Sequence, residues 1–144
     1  MGLVRRIFQG RLPSLITCIV QWADGVWDVS WVPYRGSPAE FSDETLTHAT
    51  ATASAEVAAM YSGREEASGA ELQFAIYPWV GRGMRIILDI TSDADGYAAK
   101  GLLGVDINVR AASLEALVER AEQSLGDTSD VMFRWIRQVS TIPS

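Results

Sequence analysis

An Asp-Gly dipeptide at residues 24–25 constrains the fold more than any other feature, because it stands between two stretches rich in β-formers. Such a dipeptide suits a two-residue type I′ turn, in which both residues adopt a positive φ. On one face that turn pairs Trp22 with Trp27, Val20 with Val29 and Cys18 with Trp31. On the other face it pairs Gln21 with Asp28. A single register therefore gives one apolar and one mostly polar face, which predicts strands near 14–22 and 26–34.

Residues 42–61 carry the pattern of an amphipathic helix with a narrow apolar side. Ser42 opens the segment, and Asp43 and Glu44 lie in the first turn, where the helix dipole favours negative charge. The apolar positions recur at helical spacing: Leu46, Ala49, Ala53, Val57 and Met60. Because this side is built mainly from alanine, we expect the helix to cover the Trp-rich face of the hairpin.

The rest of the chain predicts three strands and two further helices. The strands are expected at 71–80, 84–92 and about 97–110, and the helices from Ser113 to Gly126 and from about Thr128 to Pro143. The last helix is predicted from a stripe of Met132, Trp135, Ile136 and Val139. A short helix at 2–9 is a further expectation. We therefore predict one α+β domain over residues 1–144, with no internal repeat: a five-stranded antiparallel or mixed sheet, order ββαβββαα, with the helices packed mainly on one face.

The charge of the chain narrows the class of partner. The formal net charge is -6, whereas nucleic acids and anionic membranes bind cationic surfaces, so neither is expected as a partner. The apolar stretch from Leu12 to Val20 is interrupted by Pro13 and Thr17, so it is too weak for a signal sequence, and it is much too short for a membrane span. A cytoplasmic location is expected. Arginine is far more frequent than lysine, which is typical of GC-rich bacterial genes.

The residues that usually carry catalysis or bind metals are sparse. The single histidine, His48, has no ligand one helical turn later, and the single cysteine, Cys18, falls on the apolar face of the first strand. The segment 91–96 resembles a calcium loop, but Thr91 and Leu102 occupy the positions of the strongest ligands. We therefore expect no metal and no cofactor, and the sequence favours a protein that is not an enzyme.

The leading hypothesis is a non-catalytic protein-binding module of the inhibitor, immunity-factor or chaperone kind. Negative charge is clustered along the chain, and complementary charge speeds association with a basic partner protein. Trp79, next to a glycine turn, is a candidate anchor for such a partner. The candidate binding residues are Trp79, Arg82, Asp93, Asp95, Glu65 and Glu66. A homodimer is compatible with this class, and a structural subunit of a larger assembly is a weaker alternative.

The main alternative is a cone-like domain that binds a small molecule, as a carrier or as a carboxylate-dependent enzyme. Its pocket would be lined by Trp22, Trp27 and Trp31, with Arg85 and Asp89 from another strand. The same residues also fit a plainer interpretation. In that interpretation the three tryptophans form the core beneath the alanine-rich helix, and Arg85, Ile87, Asp89 and Thr91 form the solvated face of their strand.

Overall fold

The computed structural model describes residues 12–32, 41–79, 84–101, 106–126 and 129–142. The described residues form eight strands, two α-helices and two short 3-10 helices at Glu65–Ser68 and Val139–Thr141. The strands are β1 (Leu15–Ala23), β2 (Val26–Val32), β3 (Phe41–Asp43), β4 (Glu71–Trp79), β5 (Met84–Asp93), β6 (Gly96–Gly101), β7 (Asn108–Ala111) and β8 (Ser129–Gln138). The α-helices are α1 (Leu46–Tyr61) and α2 (Leu114–Leu125). All eight strands belong to one mixed sheet of order β3-β2-β1-β4-β8-β5-β6-β7.

The hairpin at Asp24-Gly25 is confirmed together with its register. Strands β1 and β2 pair Trp22 with Trp27, Val20 with Val29 and Cys18 with Trp31. Asp24 and Gly25 have φ values of 53° and 81°, as a type I′ turn requires. The turn residues and the alternation of the flanking strands were therefore sufficient to fix this part of the sheet.

The helix predicted at 42–61 begins later than expected, at Leu46. The hydroxyl of Thr45 accepts a hydrogen bond of 3.1 Å from the backbone N–H of His48, so Thr45 is the capping residue. Ser42 and Asp43, predicted at the start of the helix, instead belong to β3, which pairs with β2. Helix α2 agrees with its prediction, because it lies between the cap Ser113 and Gly126.

The predicted helix from Thr128 to Pro143 is wrong, because this segment forms strand β8. β8 lies at the centre of the sheet, antiparallel to β4 and parallel to β5. Its buried residues Val131, Phe133 and Trp135 alternate, as they must in a strand. The predicted strand at 97–110 is divided into β6 and β7. The five-stranded sheet and the order ββαβββαα are therefore replaced by eight strands in the order βββαββββαβ.

Both α-helices share one hydrophobic core and contact each other, so they cover the same face of the sheet. The predicted apolar side of α1 is buried, and α1 contacts β1, β2, β3 and β4. Among the described helices none is long and apolar enough to cross a membrane. The predicted helix at 2–9 and the turn at 81–83, with Arg82, lie outside the described residues.

The two halves of the chain have the same element order: a hairpin, a short strand, a helix, and a strand parallel to the first. β4 returns parallel to β1 in the first half, and β8 returns parallel to β5 in the second. The halves meet where β4 pairs with β8, and the pair Ala75–Arg134 lies between the pairs Phe74–Trp135 and Ile76–Phe133. An approximate two-fold axis through the Ala75–Arg134 pair therefore relates the two halves.

Candidate functional site

The face of the sheet opposite α1 and α2, here called the outer face, is not covered by any described α-helix. In β5, Leu88 and Ile90 are buried in the core, whereas Arg85, Ile87 and Thr91 are exposed. Side chains alternate between the faces of a strand, so these three residues and Asp89 belong to the outer face. This agrees with the interpretation of Arg85, Ile87, Asp89 and Thr91 as a solvated face.

Apolar side chains of the four central strands form a group on the outer face. Ile87 and Ile136 are 36% and 44% exposed, and Met132 lies directly beside Ile87 in the pairing of β5 with β8. On the other side, Ile19 of β1 pairs with Ala75 of β4. We call the following residues the outer-face patch: Ile19, Ala75, Tyr77, Ile87, Met132 and Ile136. Because these residues lie on the strands of a central sheet, the backbone holds the patch in a fixed geometry.

Two ion pairs between β5 and β8 lie within the outer-face patch. Asp89 accepts two hydrogen bonds from Arg134, of 2.8 and 3.2 Å, and this contact raises the pKa of Arg134. Arg85 lies 4.0 Å from Asp130, and its guanidinium also lies over the ring of Tyr77 at 5.2 Å. The sequence offers Arg85 and Asp89 as a pocket pair, but each of them contacts an oppositely charged residue of β8. The patch therefore carries little net charge.

Four acidic residues that the sequence singled out lie near the same edge of the sheet. Glu65 and Glu66 begin the 3-10 helix just before β4, Asp93 ends β5, and Asp95 lies in the turn that follows β5. β4 is antiparallel to β8 and β8 is parallel to β5, so the start of β4 and the end of β5 share an edge. Trp79 ends β4 and lies at the opposite edge, partly buried against the core. The structure thus brings the acidic residues to one edge and leaves Trp79 apart from them.

Two of these carboxylates are held by hydrogen bonds within the chain. Glu66 accepts from the backbone N–H of Leu12 at 2.9 Å and from Arg64 at 3.1 Å, and these bonds lower its pKa to about 2. Asp93 accepts from Arg110 at 2.9 Å and from the backbone N–H of Asp95 at 2.8 Å, and the bond from Arg110 contributes most to lowering its pKa. These charges already have partners in the folded chain.

The tryptophans of the hairpin belong mainly to the core. Trp27 and Trp31 are only 8% and 3% exposed and belong to the core cluster that includes α1. Trp22 is 42% exposed and packs edge-to-face on Trp27, with the ring centroids 5.2 Å apart. Cys18 is buried in the same cluster, and its burial raises the pKa of the thiol well above the ordinary value.

His48 has a neighbour that the sequence did not predict. Its Nδ1 atom bonds to the carboxylate of Asp43, which precedes the helix cap, and this bond lowers the pKa of Asp43. The histidine ring is exposed on the surface of α1. In the part of the chain that the structure describes, no group of three or more His, Cys, Asp or Glu side chains is placed to hold a metal ion.

Comparison with protein-family models gave no match, and searches of curated proteins and of solved structures gave none either.

Proposed function

We propose that this chain is a non-catalytic protein-binding module that binds its partner through the outer-face patch. The observation that supports this proposal is the exposure of Ile87, which lies beside Met132, and of Ile136 further along β8, all on the face of the sheet opposite both α-helices. Exposed apolar side chains on one face of a rigid surface are typical of sites where another protein binds. The strands that carry them are held on both sides by neighbouring strands, so binding requires little rearrangement.

The charges of the chain indicate the chemistry of the partner. Within the patch the opposite charges of Asp89 and Arg134 cancel, and so do those of Arg85 and Asp130. The chain as a whole has a net charge of -6, so most of the excess negative charge lies away from the patch. A partner with an apolar contact surface and basic surroundings fits both features, because the field of the chain steers it and apolar burial then holds it.

The small-molecule alternative receives less support. Burial of Trp27 and Trp31 beneath α1 agrees with a core role and leaves little of their surface for a ligand. Arg85 and Asp89 lie on the outer face and contact residues of β8, which argues against a carboxylate-dependent enzyme at that position.

The experiment compares two variants that each add one negative charge, Ile136→Asp on the patch and Ser124→Asp on the exposed surface of α2. The tagged chain is used to capture partners from the native cell at low and moderate salt, and the captured protein is then purified and titrated by calorimetry. We expect Ile136→Asp to weaken binding at least about tenfold, since it buries an unpaired charge in the interface. Ser124→Asp should bind as the wild type does.

Equal binding by Ile136→Asp and the wild type would exclude the outer-face patch as the interface. Sedimentation of the purified chain tests a second copy as the occupant. A dimer that Ile136→Asp dissociates would mean that the patch serves self-association instead of a different partner.

A further inference from the structure

A pocket of about 470 Å³ opens on the helix side of the sheet, between the start of α1, the β5–β6 turn and the end of β8. Its walls include Thr47 of α1, Ser92 and Tyr97 of the hairpin, and Trp135 and Arg137 of β8. This volume falls in the range of about 300–1,000 Å³ that is typical of small-molecule sites. The pocket is on the opposite face from the outer-face patch, so the two sites are separate.

The pocket corresponds to a difference between the two halves of the chain. Counted back from the turn, the second cross-strand pair of the first hairpin is Trp22–Trp27. The equivalent pair of the second hairpin is Ser92–Tyr97. Trp22 packs edge-to-face on Trp27 and covers it. Ser92 is too small to cover Tyr97 in the same way, and it leaves open the space that a tryptophan occupies in the first half.

The strands that follow the helices differ at the matching place. Val20 pairs with Ile76 in the first half, and Ile90 pairs with Trp135 in the second. Two residues further along, β4 has Pro78 where β8 has Arg137. The second half therefore combines an open space with a cationic side chain, whereas the equivalent described positions of the first half hold Trp22 and Pro78.

Arg137 is partly buried, and its contacts leave most of its hydrogen-bonding capacity unused. Its guanidinium lies over the ring of Trp135 at 5.0 Å, and one N–H donates to the hydroxyl of Ser54 at 2.9 Å. Among the described residues no carboxylate lies within ion-pair distance of Arg137. Burial lowers the pKa of this guanidinium. A guanidinium has five N–H donors, and removing it from water without an anionic partner is unfavourable.

The surroundings of Arg137 limit the charge of a ligand. The carboxylate of Asp93 contacts Arg110 and does not neutralise Arg137. Asp95 is exposed at the pocket, and Glu115 accepts a hydrogen bond of 2.6 Å from the hydroxyl of Thr47. These carboxylates and the net charge of the chain repel a multiply charged anion more than a singly charged one.

We propose that this pocket binds a small organic monocarboxylate with a flat apolar body. The carboxylate accepts hydrogen bonds from the guanidinium of Arg137, whose planar fork matches two oxygen atoms. The body packs beside Tyr97, whose ring lies edge-to-face on the largely buried ring of Trp135 with centroids 5.7 Å apart.

The test is an NMR titration of the full chain with benzoate, with the indole N–H of Trp135 and the side-chain N–H of Arg137 as reporters. We expect saturable shifts at both groups, with a dissociation constant of about 1 mM or lower. Phenyl phosphate should bind more weakly because of its extra charge. Benzyl alcohol, which has the same ring without the anionic group, should give no saturable shift.

Three variants separate the role of the charge from that of the space. Arg137→Gln should weaken benzoate binding at least about tenfold, whereas Arg120→Gln, on the exposed surface of α2, should leave it unchanged. Ser92→Trp makes the second hairpin resemble the first and should abolish binding while every charge is kept. This variant also tests the proposal if Arg137→Gln does not fold.

Several results would overturn the proposal. One is the absence of a saturable benzoate shift in the wild type, which would leave Arg137 only the role of joining β8 to α1 through Ser54. Another is benzoate binding that neither Arg137→Gln nor Ser92→Trp weakens. Equal or tighter binding of phenyl phosphate would exclude a monocarboxylate as the preferred ligand, and equal binding of benzyl alcohol would exclude an anion.

Discussion

Two carboxylates each connect, through hydrogen bonds, segments that are far apart in sequence. Glu66 accepts a hydrogen bond from the backbone N–H of Leu12, and Glu115 of α2 accepts hydrogen bonds from the backbone N–H and the hydroxyl of Thr47. The first N–H groups of a helix have no partner within the helix, so Glu115 satisfies one of them at the start of α1. The hydrogen bonds to Glu66 are stronger when its carboxylate is ionised, and this links the stability of the fold to pH.

Replacement of Glu66 by glutamine should flatten the acid dependence of stability. The hydrogen bonds to Glu66 lower its pKa from the ordinary 4.5 to about 2 in the folded chain. Between these values the unfolded chain binds more protons than the folded one, so the free energy of unfolding falls as the pH decreases from 4.5 towards about 2. Above 4.5 this contribution is fully present.

Urea denaturation at a series of pH values measures this dependence. The free energy of unfolding of Glu66→Gln should fall less steeply with decreasing pH than that of the wild type. Glu65→Gln, at the exposed neighbouring position, serves as the control and should keep the wild-type slope. Identical slopes for Glu66→Gln and the wild type would mean that the carboxylate of Glu66 is not held in the folded state.

At the scale of elements, the sequence predicts what is decided locally. The β1–β2 hairpin depends on two turn residues and the strands beside them, and α2 depends on its cap and its own periodicity, so both agree with the prediction. β8 is different, because its apolar residues fit both strand alternation and helical spacing. Only its pairing with β4 and β5, far away in sequence, makes it a strand.

The error at β8 also hid the charged residues of both candidate sites. Arg134, which pairs with Asp89 on the outer face, and Arg137, in the pocket, both belong to β8. Their faces follow from strand alternation, which a helical interpretation of the segment does not give. The outer face of β5 was predictable from its own alternation, whereas its partner strand was not.

The two hairpin glycines should respond differently to alanine. Both have positive φ, but a Cβ at Gly25 meets no atom within 4 Å, whereas a Cβ at Gly96 would lie 2.5 Å from the carbonyl oxygen of Ala111. Gly25→Ala should cost roughly 1 kcal/mol from its φ alone. Gly96→Ala adds a clash with the backbone of β7 and should cost about 2–4 kcal/mol in the free energy of unfolding. Urea denaturation of both variants gives the comparison, and an equal loss would mean that β7 moves away without cost.

At the scale of the whole molecule, the two halves share their topology but not their residues. Equivalent positions hold Trp22 and Ser92, or Pro78 and Arg137, which explains why no internal repeat is recognisable in the sequence. The outer-face patch contains strands of both halves, since β4 and β8 are adjacent. The pocket belongs to the second half and to the start of α1. The two-fold topology thus places the outer-face patch across both halves. The pocket, in contrast, exists only where the residues of the second half differ from those of the first.

The halves should nevertheless unfold together. Their buried side chains form one cluster, and Phe74 of β4 contacts Trp135 of β8 across the central pair of strands, with ring centroids 5.5 Å apart. Trp31→Ala in the first half should cost about 3–5 kcal/mol, and Leu117→Ala in the second about 2–5 kcal/mol, because each leaves a cavity in this common core. Urea denaturation of each variant is followed by tryptophan fluorescence and by far-UV circular dichroism. Both signals should keep one common midpoint that shifts to lower urea, whereas separate midpoints would mean that the β4–β8 pairing does not couple the halves.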